Sequence, residues 1–149
     1  MSLSTVRTEV KTLMEATTGI ENVYDYQRYT RDYATYKDLF KEGAHINTWE
    51  ITRPTFNRLV HGSDATERVV HNFLIRGFYS LDDKAGSEKT FQDLVETVCQ
   101  IFRDKPTLEG YAEVVKYPII GRTYADMFGS VLCHIGEIEV SIQERIVFG

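Results

Sequence analysis

The run Glu67–Asp104, ERVVHNFLIRGFYSLDDKAGSEKTFQDLVETVCQIFRD, constrains the fold more than any other stretch. Its first part is apolar on both alternating faces. Val69, His71, Phe73, Ile75 and Tyr79 share one face; Val70, Leu74 and Phe78 share the other, interrupted by Asn72 and Arg76. A strand of that kind belongs in the middle of a sheet covered on two sides. Its second part carries Phe91, Leu94, Val95, Val98, Ile101 and Phe102 at helical spacing, with Lys89, Gln92, Asp93, Glu96, Thr97, Gln100 and Arg103 opposite. This is a helix with one apolar stripe and one wet face. Ser87 suits the N-cap, Glu88 suits the positive end of the dipole, and Pro106 stops the helix.

The flanking segments follow from the same periodicities. Leu3, Val6, Val10, Leu13 and Met14 predict a helix from Thr5 to Thr17, with Ser4 as N-cap and Gly19 beyond the C-cap. Asn22–Tyr26 reads as a short strand. His45–Val60 reads as a strand with Trp49 and Ile51 on one face and Ile46 and Phe56 on the other parity. Pro54 lacks an N–H, which places it at an edge or a bulge. The turn cluster His61-Gly62-Ser63-Asp64 joins this strand to the central one as a long hairpin. Tyr111–Tyr117 predicts a short strand, and PIIGRTYADMFGS from Pro118 reads as a loop. In the last strand, Val131 to Val147, the apolar parity changes after Ile135, and Gly136 fits a bulge there. The expected fold is therefore α+β: a mainly antiparallel twisted sheet with a long β-hairpin and two main helices packed on one face. All 149 residues are read as a single domain, 1–149.

Between the first helix and the hairpin lies YDYQRYTRDYATYKDLF, Tyr24 to Phe40, where tyrosines alternate with Arg28, Arg31 and Lys37. Stacking of bases on such rings is one reading. Asp25, Asp32 and Asp38 offset the cations, and the chain carries a formal charge of -5. Tyrosine also suits protein interfaces, having an apolar body and a polar tip. Packing over the domain or into a neighbouring subunit is thus the preferred reading, with Tyr29, Tyr33, Tyr36, Trp49 and Phe56 as candidate subunit-interface residues.

Chemistry is not signalled by any motif. His45, His61, His71 and His134 are scattered, and neither they nor Cys99 and Cys133 sit at metal-ligand spacing. His71 reads as a hydrogen-bonded core histidine and both cysteines as buried thiols, with a disulfide between them as the lesser alternative. Glu137 and Glu139 share a strand face with Arg145, an ordinary polar exterior that could also serve as an acid–base or cation pair. No catalytic residue, cofactor or metal is expected. The N-terminus has no signal-peptide core and no run reaches the roughly 20 apolar residues of a membrane helix, so a cytosolic origin and no membrane partner are expected.

The strand ending RGFYSL (Arg76–Leu81), the segment SEKTFQDLVETVCQIF (Ser87–Phe102) and the closing CHIGEIEVSIQERI (Cys133–Ile146), taken in their order along the chain, resemble the tail terminator proteins of long-tailed bacteriophages. That resemblance implies a virion structural protein with no active site. It implies a head-to-tail homo-oligomeric ring, hexameric in the family, that caps the tail tube and joins it to the head connector or stopper protein. It also implies location in the virion tail after assembly in the bacterial cytoplasm, without specific nucleic-acid binding. Two other readings stand beside it: a small non-catalytic interaction module or other head–tail connector subunit, and a metal-free enzyme or ligand-binding α+β domain.

Overall fold

The computed structural model describes residues 3–26, 41–42, 45–61, 66–82, 84–110, 112–115, 118–128 and 131–147. In chain order these form α1 (Leu3–Glu15), β1 (Asn22–Tyr24), β2 (Lys41–Glu42), β3 (His45–His61), β4 (Thr66–Ser80), α2 (Ser87–Asp104), a 3-10 turn (Leu108–Gly110), β5 (Val114–Val115), β6 (Ile119–Phe128) and β7 (Val131–Val147). The class is α+β. The sheet follows the path β1-β3-β4-β7-β5, with β2 attached to β3 and β6 to β7. It is mixed, not purely antiparallel, because β1 runs parallel to β3 through Asn22↔Thr48 and Tyr24↔Glu50. A parallel pair needs a crossover of a dozen residues or more, and residues 25–44 supply the length.

β4 is central, paired to β3 from Asn47↔Tyr79 to His61↔Thr66 and to β7 from Thr66↔Val147 to Ser80↔Cys133. Its two apolar faces are thereby explained. Along one face run Trp49, Ile51, Phe73, Ile75, Ile138, Val140 and Ile142. These form one core with Val6, Val10 and Met14 of α1 and Phe91, Val95, Val98, Cys99 and Phe102 of α2. The other face carries a smaller cluster: Ile46, Phe78, Cys133 and Ile135, with Tyr24 and Tyr124 against it.

Two glycines let α2 sit close. A Cβ on Gly77 would lie 2.5 Å from the Trp49 ring, and one on Gly136 would lie 3.0 Å from Phe91. The two glycines are cross-strand partners. They form a flat platform on which Trp49 and Phe91 stack, centroids 5.9 Å apart, with His134 stacked on Phe91 at 5.8 Å.

Several expectations are corrected by these pairings. Gly136 is not a bulge; β7 stays in register with β4 throughout. The parity change instead marks which side is covered. Cys133 and Ile135 point into the smaller cluster, whereas Ile138, Val140 and Ile142 point under the helices. The bulges lie elsewhere, at Thr52/Thr55 beside Pro54 and at Ile120/Arg122 around Gly121. The first returns Phe56 to the helix side of the sheet, shared with Trp49 and Ile51, because an extra residue restores parity. The segment read as a loop after Pro118 is β6; within the strand expected at Tyr111–Tyr117, Val114–Val115 form β5, and residues 111 and 116–117 lie outside the described residues.

Helix starts also differ. Gly86, left-handed at φ 68, takes the N-cap of α2, while Ser87 Oγ accepts the Asp82 N–H at 2.8 Å. α1 begins at Leu3, so Ser4 lies inside it, and it ends at Glu15 before a turn that Gly19 closes at φ 94. Cys99 and Cys133 are both free and buried in different clusters on opposite sides of the sheet, so no disulfide joins them.

Candidate functional site

Two places gather polar side chains inside this frame. The first lies where β7 meets the start of α2. Close packing over Gly136 brings His134, two residues earlier on the same face, against the first turn of the helix. Ser87 Oγ and His134 Nε2 are 2.9 Å apart. The neighbouring cavity, about 430 Å³, is lined by Leu81, Lys89, Phe91, Gln92, Thr123 and Tyr124 among others. With its ring proton on Nδ1, His134 can accept the Ser87 proton, the first half of a nucleophile–base pair. Among the described residues, no carboxylate hydrogen-bonds to His134 to orient it. Ser87 Oγ is also committed to the Asp82 amide, and both features suit a helix anchor as well as chemistry. Nothing in the spacing of the sequence joins positions 87 and 134. The glycine pair that lets α2 approach the sheet is the physical cause of the contact.

The second place lies under α1. His71 is buried as expected, with Arg53 Nη1 at 3.1 Å from Nδ1 and Glu144 Oε1 at 3.4 Å from Nε2. A guanidinium only donates, so Nδ1 accepts and the ring proton sits on Nε2, pointing at Glu144. The imidazole is neutral in this arrangement. Burial holds its pKa below the ordinary value, followed in opposition by the Glu144 hydrogen bond and charge, while Arg53 and Arg7 lower it further. Glu144 Oε2 is buried without a hydrogen-bond partner among the described residues. The trio ties β3, β4 and β7 together on the helix side of the sheet.

The surface carries the remaining candidates. Glu137 lies 3.4 Å from Arg122 Nε, and Arg122 stacks 4.4 Å above the Tyr124 ring. That ion pair occupies the Glu137 carboxylate, while Glu139 is exposed beside it. No group of three or more His, Cys, Asp or Glu among the described residues could hold a metal ion. The thiols are poor nucleophiles: burial raises Cys99, and it pushes Cys133 up to about 11. Nor is any described helix long and apolar enough to cross a membrane.

Of the candidate interface residues, Tyr29, Tyr33 and Tyr36 lie outside the described residues. Trp49 is corrected: it is 0% exposed, wholly inside the chain's own core, because it fills the space over Gly77. Its indole N–H donates to Asn47 Oδ1 at 3.0 Å. Phe56 is 45% exposed, with the Arg53 guanidinium 4.4 Å above its ring. The sequence pattern did not single out Met127 and Leu132, which are 53% and 42% exposed on paired positions of β6 and β7. Reading residues 118–130 as a loop concealed Met127 and its pairing with Leu132. No protein-family model matches this chain, and no curated protein does.

Proposed function

We propose that this chain is a ring-forming structural subunit of a phage or prophage tail, similar to the tail terminators that its sequence resembles. In this role a hexameric, head-to-tail homo-oligomer caps the tail tube and joins it to the head connector or stopper protein, in the virion tail. One observation supports the reading: the order α1, β1, the antiparallel pair β3 and β4, α2, then the pair β6 and β7, in which β3 and β6 leave long edges unpaired among the described residues. β6 is paired on one side only, and the outer side of β3 beyond Glu50 meets no described strand. Sheet edges of that kind are suited to pairing with another chain. A closed heterologous contact between unlike surfaces generates a ring. A chain of formal charge -5 would offer few phosphate contacts to passing duplex.

Light scattering after size exclusion, followed by negative-stain imaging, tests the proposal. A discrete closed species of uniform stoichiometry supports it. A monomer at the highest soluble concentration would sink it. Tyr29→Ser with Tyr33→Ser should weaken assembly, and unchanged sedimentation removes that segment from the contact.

The Ser87–His134 contact favours one second reading, a metal-free hydrolase using the cavity at the head of α2. Incubation with a fluorophosphonate probe separates the two: labelling that is lost in Ser87→Ala supports the enzyme, and an unlabelled, correctly folded protein removes it.

A further inference from the structure

His71 stands between two partners that respond oppositely to a proton. Arg53 Nη1 lies 3.1 Å from Nδ1, and Glu144 Oε1 lies 3.4 Å from Nε2. A guanidinium has donors and no acceptor, so the contact with Arg53 exists only while Nδ1 is unprotonated. A carboxylate accepts from the neutral ring and binds the charged one more strongly, at about 2.7–2.9 Å. At 3.4 Å the Glu144 contact is slack, and Glu144 Oε2 is buried with no hydrogen-bond partner among the described residues. A proton on Nδ1 therefore breaks one tie and tightens the other. Burial weighs most against that proton; of the charges acting on the ring, Glu144 of β7 favours it, whereas Arg53 of β3 and Arg7 of α1 oppose it. On β4 itself the acid sharing that face is Glu67, also buried.

What the Arg53 tie holds is a bulge. The register of β3 against β4 shifts between Thr52 and Thr55, and Arg53 and Pro54 occupy the shift. Pro54 has no N–H and a bulge leaves a residue out of the ladder, so backbone hydrogen bonding is thin there. Arg53 spans the gap: it reaches His71 on β4 and lies 4.4 Å over the ring of Phe56, on the far side of the bulge. Beyond it the arm Thr55–His61 pairs with β4 on one side, and no described strand pairs with it on the other. We propose that His71 is a proton-operated latch: protonation of Nδ1 transfers the ring from Arg53 to Glu144 and frees the bulge as a hinge for the Thr55–His61 arm. The β4–β7 pair, held by Glu144, stays closed. Every group involved belongs to one chain, so the latch stands apart from the ring reading.

Residue-resolved hydrogen exchange, corrected for intrinsic rates and run from about pH 7.5 down to about pH 4.5, tests the latch, with ring-nitrogen NMR following the protonation of His71. As the ring takes its proton, protection of the ladder amides in Thr55–His61 should fall about tenfold or more, while amides between β4 and β7 keep theirs. His71→Asn retains an acceptor for Arg53 and does not titrate, so its arm should stay protected across the range. Arg53→Gln removes the latch from its half-exposed side; its arm should be poorly protected already at neutral pH, with no further acid step. Should His71→Asn not fold, the wild type and Arg53→Gln decide. An arm that keeps its protection once His71 is charged overturns the latch, as does a loss spread evenly over β3, β4 and β7. So does a ring that stays neutral until the whole domain unfolds, or an acid step that persists in His71→Asn.

Discussion

The two faces of one sheet solve burial differently. On the helix side, β3, β4 and β7 present Trp49, Ile51, Phe73, Ile75, Ile138, Val140 and Ile142 to two helices, with polar groups in the His71 trio, the Asn47–Trp49 hydrogen bond and the Ser87–His134 contact. On the other side, among the described residues, one smaller cluster gathers Ile46, Phe78, Cys133 and Ile135 at one end, and Val70 is buried apart from it. Further along that side a hydrogen-bonded row crosses three strands: Ser141 Oγ donates to Asn72 Oδ1 at 2.8 Å, and Asn72 Nδ2 donates to Thr55 Oγ1 at 2.9 Å. The first face is therefore sensitive to volume, because its contacts are close-packed and cannot relax. Along that row the second face holds partly exposed hydrogen bonds, each worth about 1 kcal/mol net. The same strands thus make one face that is packed along its length and another on which substitutions along the hydrogen-bonded row cost little.

The largest break in this contrast should come from Trp49→Ala, with a loss of about 3–5 kcal/mol as expected for a buried aromatic. Chemical denaturation measures it; a loss below about 1 kcal/mol would mean the indole is not central to packing. Gly77→Ala comes next. Its methyl would meet the Trp49 ring at 2.5–2.7 Å, so a loss of about 1–3 kcal/mol is expected. Gly136→Ala should cost less, since its nearest neighbours are 3.0–3.2 Å away, and Gly121→Ala, at 3.5 Å, should be near neutral. A reversed order among these three glycines in melting temperature would contradict the platform.

Acid sharpens the comparison, since only the helix side buries a histidine trio. His71 has a folded pKa below its unfolded value, so the unfolded chain binds the extra proton first. Stability is complete above about pH 6.5, the ordinary histidine value. It falls as pH drops from there to the lower folded value, where protonation of Nδ1 sets it against the Arg53 donor. Urea midpoints at neutral and mildly acidic pH should therefore differ in the wild type and differ less in His71→Asn. Glu144→Gln removes the partner that raises the pKa, and it should steepen the acid loss. An equal slope in all three proteins would rule out this trio as the cause.

The smallest effect concerns the cysteines. Both are buried, and burial raises both thiols, Cys133 to about 11. A disulfide-exchange reagent at mildly alkaline pH should leave the native protein unlabelled and react with both positions after unfolding. Rapid native labelling of Cys133 would show that the smaller cluster opens readily, making that face looser still.

Much of the fold was legible in local pattern. The α2 stripe from Phe91 to Phe102 and the doubly apolar β4 follow from periodicity alone, and His71 read correctly as a satisfied core histidine. The misreadings share a cause. Parity along β7 and the position of Phe56 depend on which side of the sheet is covered and where a strand gains a residue, and neither is a property of the strand alone. β6 contains two glycines' worth of turn signal around it, Gly121 and Gly129, yet pairing with β7 holds it extended. Trp49 looked like an interface anchor because tryptophan often is one; only its partner strand's Gly77 reveals the socket that takes it.

The sequence by itself determined that a two-sided strand and an amphipathic helix would meet in an α+β domain, since the spacing of apolar residues dictates which surfaces must leave water. Tertiary structure alone decided which histidine meets which serine, where the bulges fall, and that the exposed apolar side chains divide between opposite edges. Those are outcomes of register and long-range approach, set by cross-strand partners far apart in the chain, and no local window contains them.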